Sequence, residues 1–467
     1  MTSMRRNGSF ILALAAAFVV SGCATVERIN PFHKSDAGPA EVASEGNRIA
    51  INAPDEAVAP AEGLKGADFF IPDPKTVTEW ALPGGTPEQS VEHADAGGSL
   101  AVAWRRSFGK KSGNGGYITA PPVAANGKIY VMDAEATVSA HDATTGATVW
   151  KVDLRAKSKR DREGFGGGLA LADGKLTVAS GFRFVAQLNA DTGAVLWRTN
   201  TEQPIHAAPT VAGGRVFVVA IDNTLLTFDA ATGAVGWTYQ ALSESARILA
   251  ASSPAVSGDT VVATFGSGEV VALRAANGND LWNEALSKAS RTNALSEIRD
   301  IPGRPVIYQG DVFAVSHSGL LAATDLRTGQ ARWTLPITGI TTPWPVGDVV
   351  YVVDKPGKVY CISRETGQIY WVRDLNDGKV KKGRWDFVTK MGKGAKKNAA
   401  KPLWSSPILA SGKLITVSDL GELKAVNAKT GVVEKTIQLG QPVLLGPIAL
   451  NGTLYVVTDE AQLIALR

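Results

Sequence analysis

Two thiols, five imidazoles and scattered hydroxyls are the side chains here that could do covalent or metal chemistry. The imidazoles of His33, His93, His141, His206 and His317 lie far apart in the chain. None has the short spacing that brings two rings to one metal ion. No strand-turn-helix serine motif proposes a nucleophile, and no glycine-rich phosphate loop appears. Cys361 sits in the apolar run Val359-Tyr-Cys-Ile362 and reads as a small buried hydrophobe. That leaves Cys23 as the residue placed for chemistry, and the chemistry is modification of its thiol.

The elements that position Cys23 lie before it. Arg5 and Arg6 form a basic start, and Phe10 to Val20 is an apolar run too short to span a bilayer unaided. Val20-Ser-Gly-Cys23 then resembles a bacterial lipobox, the site read by lipoprotein signal peptidase. Residues 1–22 are accordingly expected to be a signal peptide, with Cys23 lipidated. Several acyl chains on one residue give stable anchoring without a transmembrane helix. Ala24 follows, not the aspartate that resembles an inner-membrane retention signal, which favours the outer membrane and its periplasmic face. Residues 23–75 are rich in Ala, Pro, Gly, Glu and Asp and read as a flexible tether reaching roughly 40 Å. Asn30-Pro-Phe32 and Phe69-Phe-Ile71 are apolar islands read first as parts of that weakly ordered linker, with docking on the domain or a partner as the alternative.

From there the chain repeats itself. The unit Asn126 to Trp150 opens with Asn126-Gly127, runs through β-rich segments, turns at Thr145-Gly146 and closes on Trp150. The opening glycine recurs at Gly174, Gly214, Gly258, Gly310, Gly347, Gly412 and Gly452. The closing glycine recurs at Gly193, Gly233, Gly278, Gly329, Gly367 and Gly431. A tryptophan stands four residues beyond it at Trp150, Trp197, Trp237, Trp282, Trp333 and Trp371, and only the seventh unit breaks the rule, with Lys435. Several short strands in a period of about 40–50 residues are the mark of a propeller blade. A proline announces most inner strands, at Pro122, Pro209, Pro254, Pro305, Pro343, Pro407 and Pro447, with Leu169 in the second unit. Proline suits the first residue of a strand, where its missing N–H breaks no ladder.

The last unit lacks a fourth strand, and Ala101-Val-Ala-Trp104 looks like a fourth strand without its own hairpin. Residues 76–467 are therefore expected to form an all-β, eight-bladed propeller of four-stranded antiparallel blades, with the ring closed by an N-terminal strand. The closing tryptophans should pack between blades. Hairpin lengths hardly vary, whereas the stretches from closing tryptophan to next inner strand do, from Trp333–Pro343 to Trp371–Pro407. In an antiparallel blade these connections share one face, so one side is uniform and the other carries the elaboration. Glu244–Ser252 and Asn283–Gly303 mix apolar and charged residues, which suits a protein interface. Asp374–Leu403 is basic, with Lys379, Lys381, Lys382 and Arg384 among its cations, and reads equally as a solvated loop without a partner or as one that meets anionic lipid or an acidic protein.

A net charge of +4 on 467 residues, with no helix-turn-helix or aromatic-basic stripe, gives no case for nucleic acid.

The repeat, as in Asn189-Ala-Asp-Thr-Gly-Ala-Val-Leu-Trp197, resembles two families. One is the quinoprotein dehydrogenases that bind pyrroloquinoline quinone. The other is the outer-membrane-protein assembly lipoproteins, the BamB family. The likeness covers residues from about 100 to 467 and by itself implies fold, not function. A dehydrogenase of that kind is longer and carries a vicinal cysteine pair; no Cys-Cys occurs here, and no motif places a calcium or catalytic carboxylate. Lipobox, tether and compact length favour the BamB likeness, which implies a non-enzymatic scaffold with no cofactor. Arg247-Ile-Leu-Ala-Ala-Ser-Ser-Pro254 and Leu295-Ser-Glu-Ile-Arg-Asp300-Ile-Pro-Gly-Arg-Pro305 resemble the paired loops by which that family docks on the periplasmic POTRA domains of BamA. The resemblance thus implies Arg247, Ile248, Leu249, Glu297, Ile298 and Asp300 as partner-binding residues, although Arg247 stands two residues further from its proline than the family arginine. Unfolded outer-membrane proteins are candidate clients. A quinone-dependent dehydrogenase and a cell-wall or polysaccharide-binding propeller are the alternatives.

Overall fold

The repeated unit folds as an antiparallel sheet because its turn residues take the backbone conformations such turns require. In the computed structural model, which describes residues 58–113, 117–155, 164, 166–242, 252–286, 300–377 and 401–467, Asn126 and Gly127 both have positive φ, 52° and 71°. This is the paired left-handed geometry of a two-residue hairpin. In the fourth and sixth units the glycine is the first turn residue instead, Gly258 and Gly347, with the hairpin closed by Ser257–Thr260 and Val346–Val349. That shift of one position explains why the interval between opening and closing glycine is one residue longer in these two units.

Eight antiparallel sheets result, in chain order around a ring. Inner strands are three residues long, as in Val123–Ala125, wherever proline precedes them. The second blade has Leu169 there, its N–H is available, and its inner strand extends to six residues, Gly167–Ala172. The eighth blade takes its outer strand from Val102–Ser107, which pairs with Gln462–Leu466 and sets Trp104 opposite Ala465. The ring is closed as the repeat predicted.

Blades adhere through one recurring contact. Each closing tryptophan lies on the closing glycine of the next blade. A Cβ added at Gly193 would stand 2.8 Å from Trp150, and one at Gly233 would stand 2.5 Å from Trp197. The same holds for Trp237 on Gly278, Trp282 on Gly329, Trp333 on Gly367, Trp371 on Gly431 and Trp104 on Gly146. The indole N–H of Trp150, Trp197, Trp237, Trp282 and Trp333 donates to a backbone carbonyl of the neighbouring blade, at 2.7–3.1 Å. At two interfaces a tyrosine hydroxyl takes that carbonyl, Tyr351 to Ala428 and Tyr455 to Ala143, and the Trp371 and Trp104 indoles have no acceptor there. The Lys435 exception now has a reason. The eighth blade takes its outer strand from Val102–Ser107, so its third and fourth strands are not joined by a Thr-Gly turn, and Lys435 has no such glycine to cover. Lys435 instead donates to the Ser99 carbonyl.

Two features depart from the expected plan. The first blade has five strands, because Glu79–Trp80 pairs with Ala124–Ala125 on the channel side. Also, the segment from Val58 to Lys75, read from composition as tether, lies on the blades. Phe69 is buried against Tyr370 beneath the Lys429 ammonium, the Ala61 N–H donates to Ile369 O, and Phe70 exchanges bonds with Asp348. A buried aromatic together with these bonds orders what a polar composition suggested was loose.

From Val77 to Gly97 the chain then circles the channel at its turn-bearing end and reaches every blade. Trp80 pairs with the first, and Ala81 O accepts from Leu171 of the second. Gln89 Nε2 donates to Thr210 Oγ1 of the third. Pro87 O and Glu88 O accept from Val256 and Ile307 of the fourth and fifth. Glu92 O accepts from the Trp344 indole of the sixth, Ala94 bonds Leu409 and Ser411 of the seventh, and Gly97 bonds Gly452 of the eighth. Inner-strand edges otherwise present unpaired backbone groups, and this strap satisfies them.

The tryptophan contact gives a clean test. Gly233 and Gly214 share φ of 73°, yet only Gly233 faces an indole, while a Cβ at Gly214 would meet nothing within 4 Å. Gly214→Ala should cost about 1 kcal/mol, the left-handed penalty alone. Gly233→Ala should cost about 1–3 kcal/mol more, from overpacking. Urea denaturation of the two variants should show that difference; equal losses would remove the tryptophan from the account.

Candidate functional site

One face of the ring collects the turns between second and third strands and the connections between blades. Among the described residues it also exposes large apolar side chains at Tyr117, Leu242, Leu403, Leu420 and Leu444. Others, such as Val149, Val195, Leu196, Val235 and Leu281, lie along the outer strands, so it is the irregular connections and not apolar exposure alone that set this face apart. The opposite, turn-bearing face carries Val58–Lys75 and the strap.

Of the sequence-predicted site residues, Cys23, Arg247, Ile248, Leu249, Glu297 and Ile298 lie outside the described residues, as does the basic stretch from 378 to 400. Asp300 lies inside them and is 1% exposed, its backbone carbonyl accepting from the His317 amide. That backbone bond holds the root of the loop, and the carboxyl is buried in this arrangement. The two predicted docking segments do meet at their roots. Ser252 Oγ donates to Gly303 O at 3.1 Å, and a Cβ at Gly303 would press on the Thr341 carbonyl at 2.4 Å. Adjacent blades therefore bring both segments to one spot on the loop face.

The root of the first segment is pinned by Glu269. Its carboxylate accepts from the Leu242 amide, Ser267 Oγ and Asn283 Nδ2. Burial alone would raise this carboxyl, but those hydrogen bonds outweigh it and hold it below the usual glutamate value. Across the ring, burial and then the charges of Asp419 and Glu460 push Asp459 up to about 6.

At the centre, the strap forms the floor of a cavity of about 100 Å³ open toward the loop face. Trp80 and Trp344 stack across it with ring planes 19° apart. Above them lie Gln89, Arg304, Thr342 and Ser406. Sequence reading missed this site, although a signal was present. The residue before each announcing proline, or before Leu169 in the second blade, is Pro121, Gly168, Ala208, Ser253, Arg304, Thr342, Ser406 or Gly446. Seven are small or turn-forming and one is arginine.

A quinone cofactor does not fit the residues that line this centre. Small-molecule pockets run to roughly 300 Å³ or more, the lining here includes no carboxylate to hold a calcium ion, and the strap fills the channel below. Among the described residues no three His, Cys, Asp or Glu converge as a metal set, and Cys361 is buried in its strand.

Comparison with known proteins agrees with this geometry. The family profile described as outer membrane protein assembly factor BamB matches residues 88–161 and 134–373. The outer membrane protein assembly factor BamB of Moranella endobia (strain PCIT) is 24% identical over 345 residues, 69% of this chain and 89% of that protein. The crystal structure of BamB from Moraxella catarrhalis superposes with a TM-score of 0.64 at 17% identity, covering 78% of this chain and 99% of that one. Quinohemoprotein alcohol dehydrogenase from Comamonas testosteroni reaches 0.63 at 13% identity, over 84% and 80%. At such identities the structural likenesses establish the propeller and no activity.

Asp459 offers a check on the face's electrostatics. Its folded pKa is raised, so the stability it confers is present below about 3.8 and is lost as pH rises through about 6. Asp459→Asn should therefore melt higher than the wild type at pH 7.5, by on the order of 1–2 °C after allowing for its half-exposed position. The two should coincide below pH 4; a variant that melts lower at pH 7.5 would contradict the assignment.

Proposed function

The chain belongs to the outer membrane protein assembly factor BamB family, and from that premise we propose that it is a non-enzymatic scaffold in the assembly of outer-membrane proteins. It is held at the periplasmic face of the outer membrane by lipid on Cys23 and binds the POTRA domains of BamA. The observation that carries the reading is the meeting of the two loop roots at Ser252 and Gly303. Two segments of mixed apolar and charged character rise from one spot, beside exposed Leu242, on the side that holds the irregular connections.

The division of faces supports the same arrangement. Val58–Lys75 lies along the turn-bearing face, so a tether leaving there keeps the loop face free for a partner. Arg247, Ile248, Leu249, Glu297 and Ile298 are the residues in this proposal that touch BamA. Asp300 is a positioning residue, fixing the second segment at its base. Non-obligate interfaces combine apolar anchors with a polar rim, the composition of these segments.

The test is co-purification from solubilised envelope. Ile248→Asp with Ile298→Asp should lower recovered BamA by about tenfold or more, as loss of apolar anchors does, with thermal stability unchanged. Cys23→Ser should move the protein from the membrane fraction to the soluble periplasm. Undiminished BamA with the double variant would reject the loop assignment.

A further inference from the structure

The geometry points to an anion site on the axis of the ring, built around Arg304 and suited to a small oxyanion, a carboxylate or a phosphate. Arg304 is the one large and charged residue among the eight that precede the announcing prolines or Leu169. Its backbone N–H donates to Thr342 Oγ1, which fixes the residue at the rim of the central cavity. Its Nε is out of solvent and has no hydrogen-bond acceptor, and its guanidinium pairs with no carboxylate among the described residues. The residue is part-buried, and a guanidinium partly withdrawn from water is ordinarily paired, because desolvating an ion costs free energy that a partner offsets. Burial also draws this guanidinium down to about 10, in keeping with a cation lacking its counter-ion.

The surroundings supply donors and no competing anion. Thr342 Oγ1 and Ser406 Oγ each accept a backbone N–H, from Arg304 and Thr342, which leaves their own hydroxyl protons to donate. The amide of Gln89 is spent on Gly84, Thr210 and Pro254, so it shapes the wall without capturing a ligand. No Asp or Glu lines the cavity. An arginine fork beside two hydroxyls matches the planar oxygens of a carboxylate or the tetrahedral oxygens of phosphate. At about 100 Å³ the space takes a free ion of a few heavy atoms, not a large cofactor. Trp80 and Trp344 bound the site and report on it.

Acetate and inorganic phosphate, added separately to the full-length protein at matched pH and ionic strength, should each be followed by thermal melting and tryptophan fluorescence. The wild type should melt higher with at least one of them, and the concentration dependence gives its affinity. Arg304→Met should abolish the shift. It should also leave the ion-free protein about as stable, because the cation removed is part-buried and has no carboxylate partner among the described residues. Arg304→Lys keeps the charge without the fork and should bind at least about tenfold more weakly; it serves if the methionine variant does not fold. The proposal is overturned if neither ion shifts the wild type, or if the variants respond to them as the wild type does.

Discussion

A tryptophan ring against a bare glycine is the contact on which this molecule depends. A four-stranded sheet cannot bury its own faces; it needs a neighbour on each side. The closing indole covers the adjacent blade only because the residue beneath it has no side chain. The Asx-Thr-Gly turn places that glycine. Asp142 accepts from the Thr144 and Thr145 amides and from the Thr145 hydroxyl, and the turn closes with the Gly146 amide on Asp142 O. Turn chemistry in one blade thus prepares the seat for the aromatic of the blade before. The single break, Lys435, falls where the seat is missing.

This coupling is why so much of the fold was legible in the sequence. Turn and aromatic recur at a fixed offset, so blade number, strand order and ring closure at Trp104 could all be read from spacing. The strap could not. Between Val77 and Gly97 most bonds run through backbone groups of unlike residues, and a pattern of side chains carries no record of them. The docking of Phe69 was open in the sequence only as the second of two readings, because composition averages over a segment and does not report where one ring is buried. The central cavity was present in the sequence as a position, the residue before each announcing proline or Leu169, but it emerges only when the units are compared there. Asp300 was found by its likeness to a family loop, and its burial depends on packing against the His317 turn, which spacing does not report.

The ring's two faces divide labour by the same geometry. Hairpin turns must be short to hold register, so their side offers little room for change and instead receives the N-terminal segment. Connections between blades bear no such restriction. They can lengthen at small entropic cost, and they carry the mixed apolar and charged segments proposed above as the partner surface. The cavity with Arg304 opens to that side as well, one residue from the Gly303 root.

The strap has a further consequence, for the order of events in folding. Gly97 donates to the carbonyl of Gly452, near the far end of the repeats, and the strap's other bonds reach inner strands dispersed through the whole repeat region. Contacts of such separation give a high contact order, and loop closure must precede their reward. Individual blades can form as local hairpins, but the channel edges stay unsatisfied until the far blades arrive. The chain should therefore gain its final rigidity late and all at once, when an early stretch finds every sheet in place.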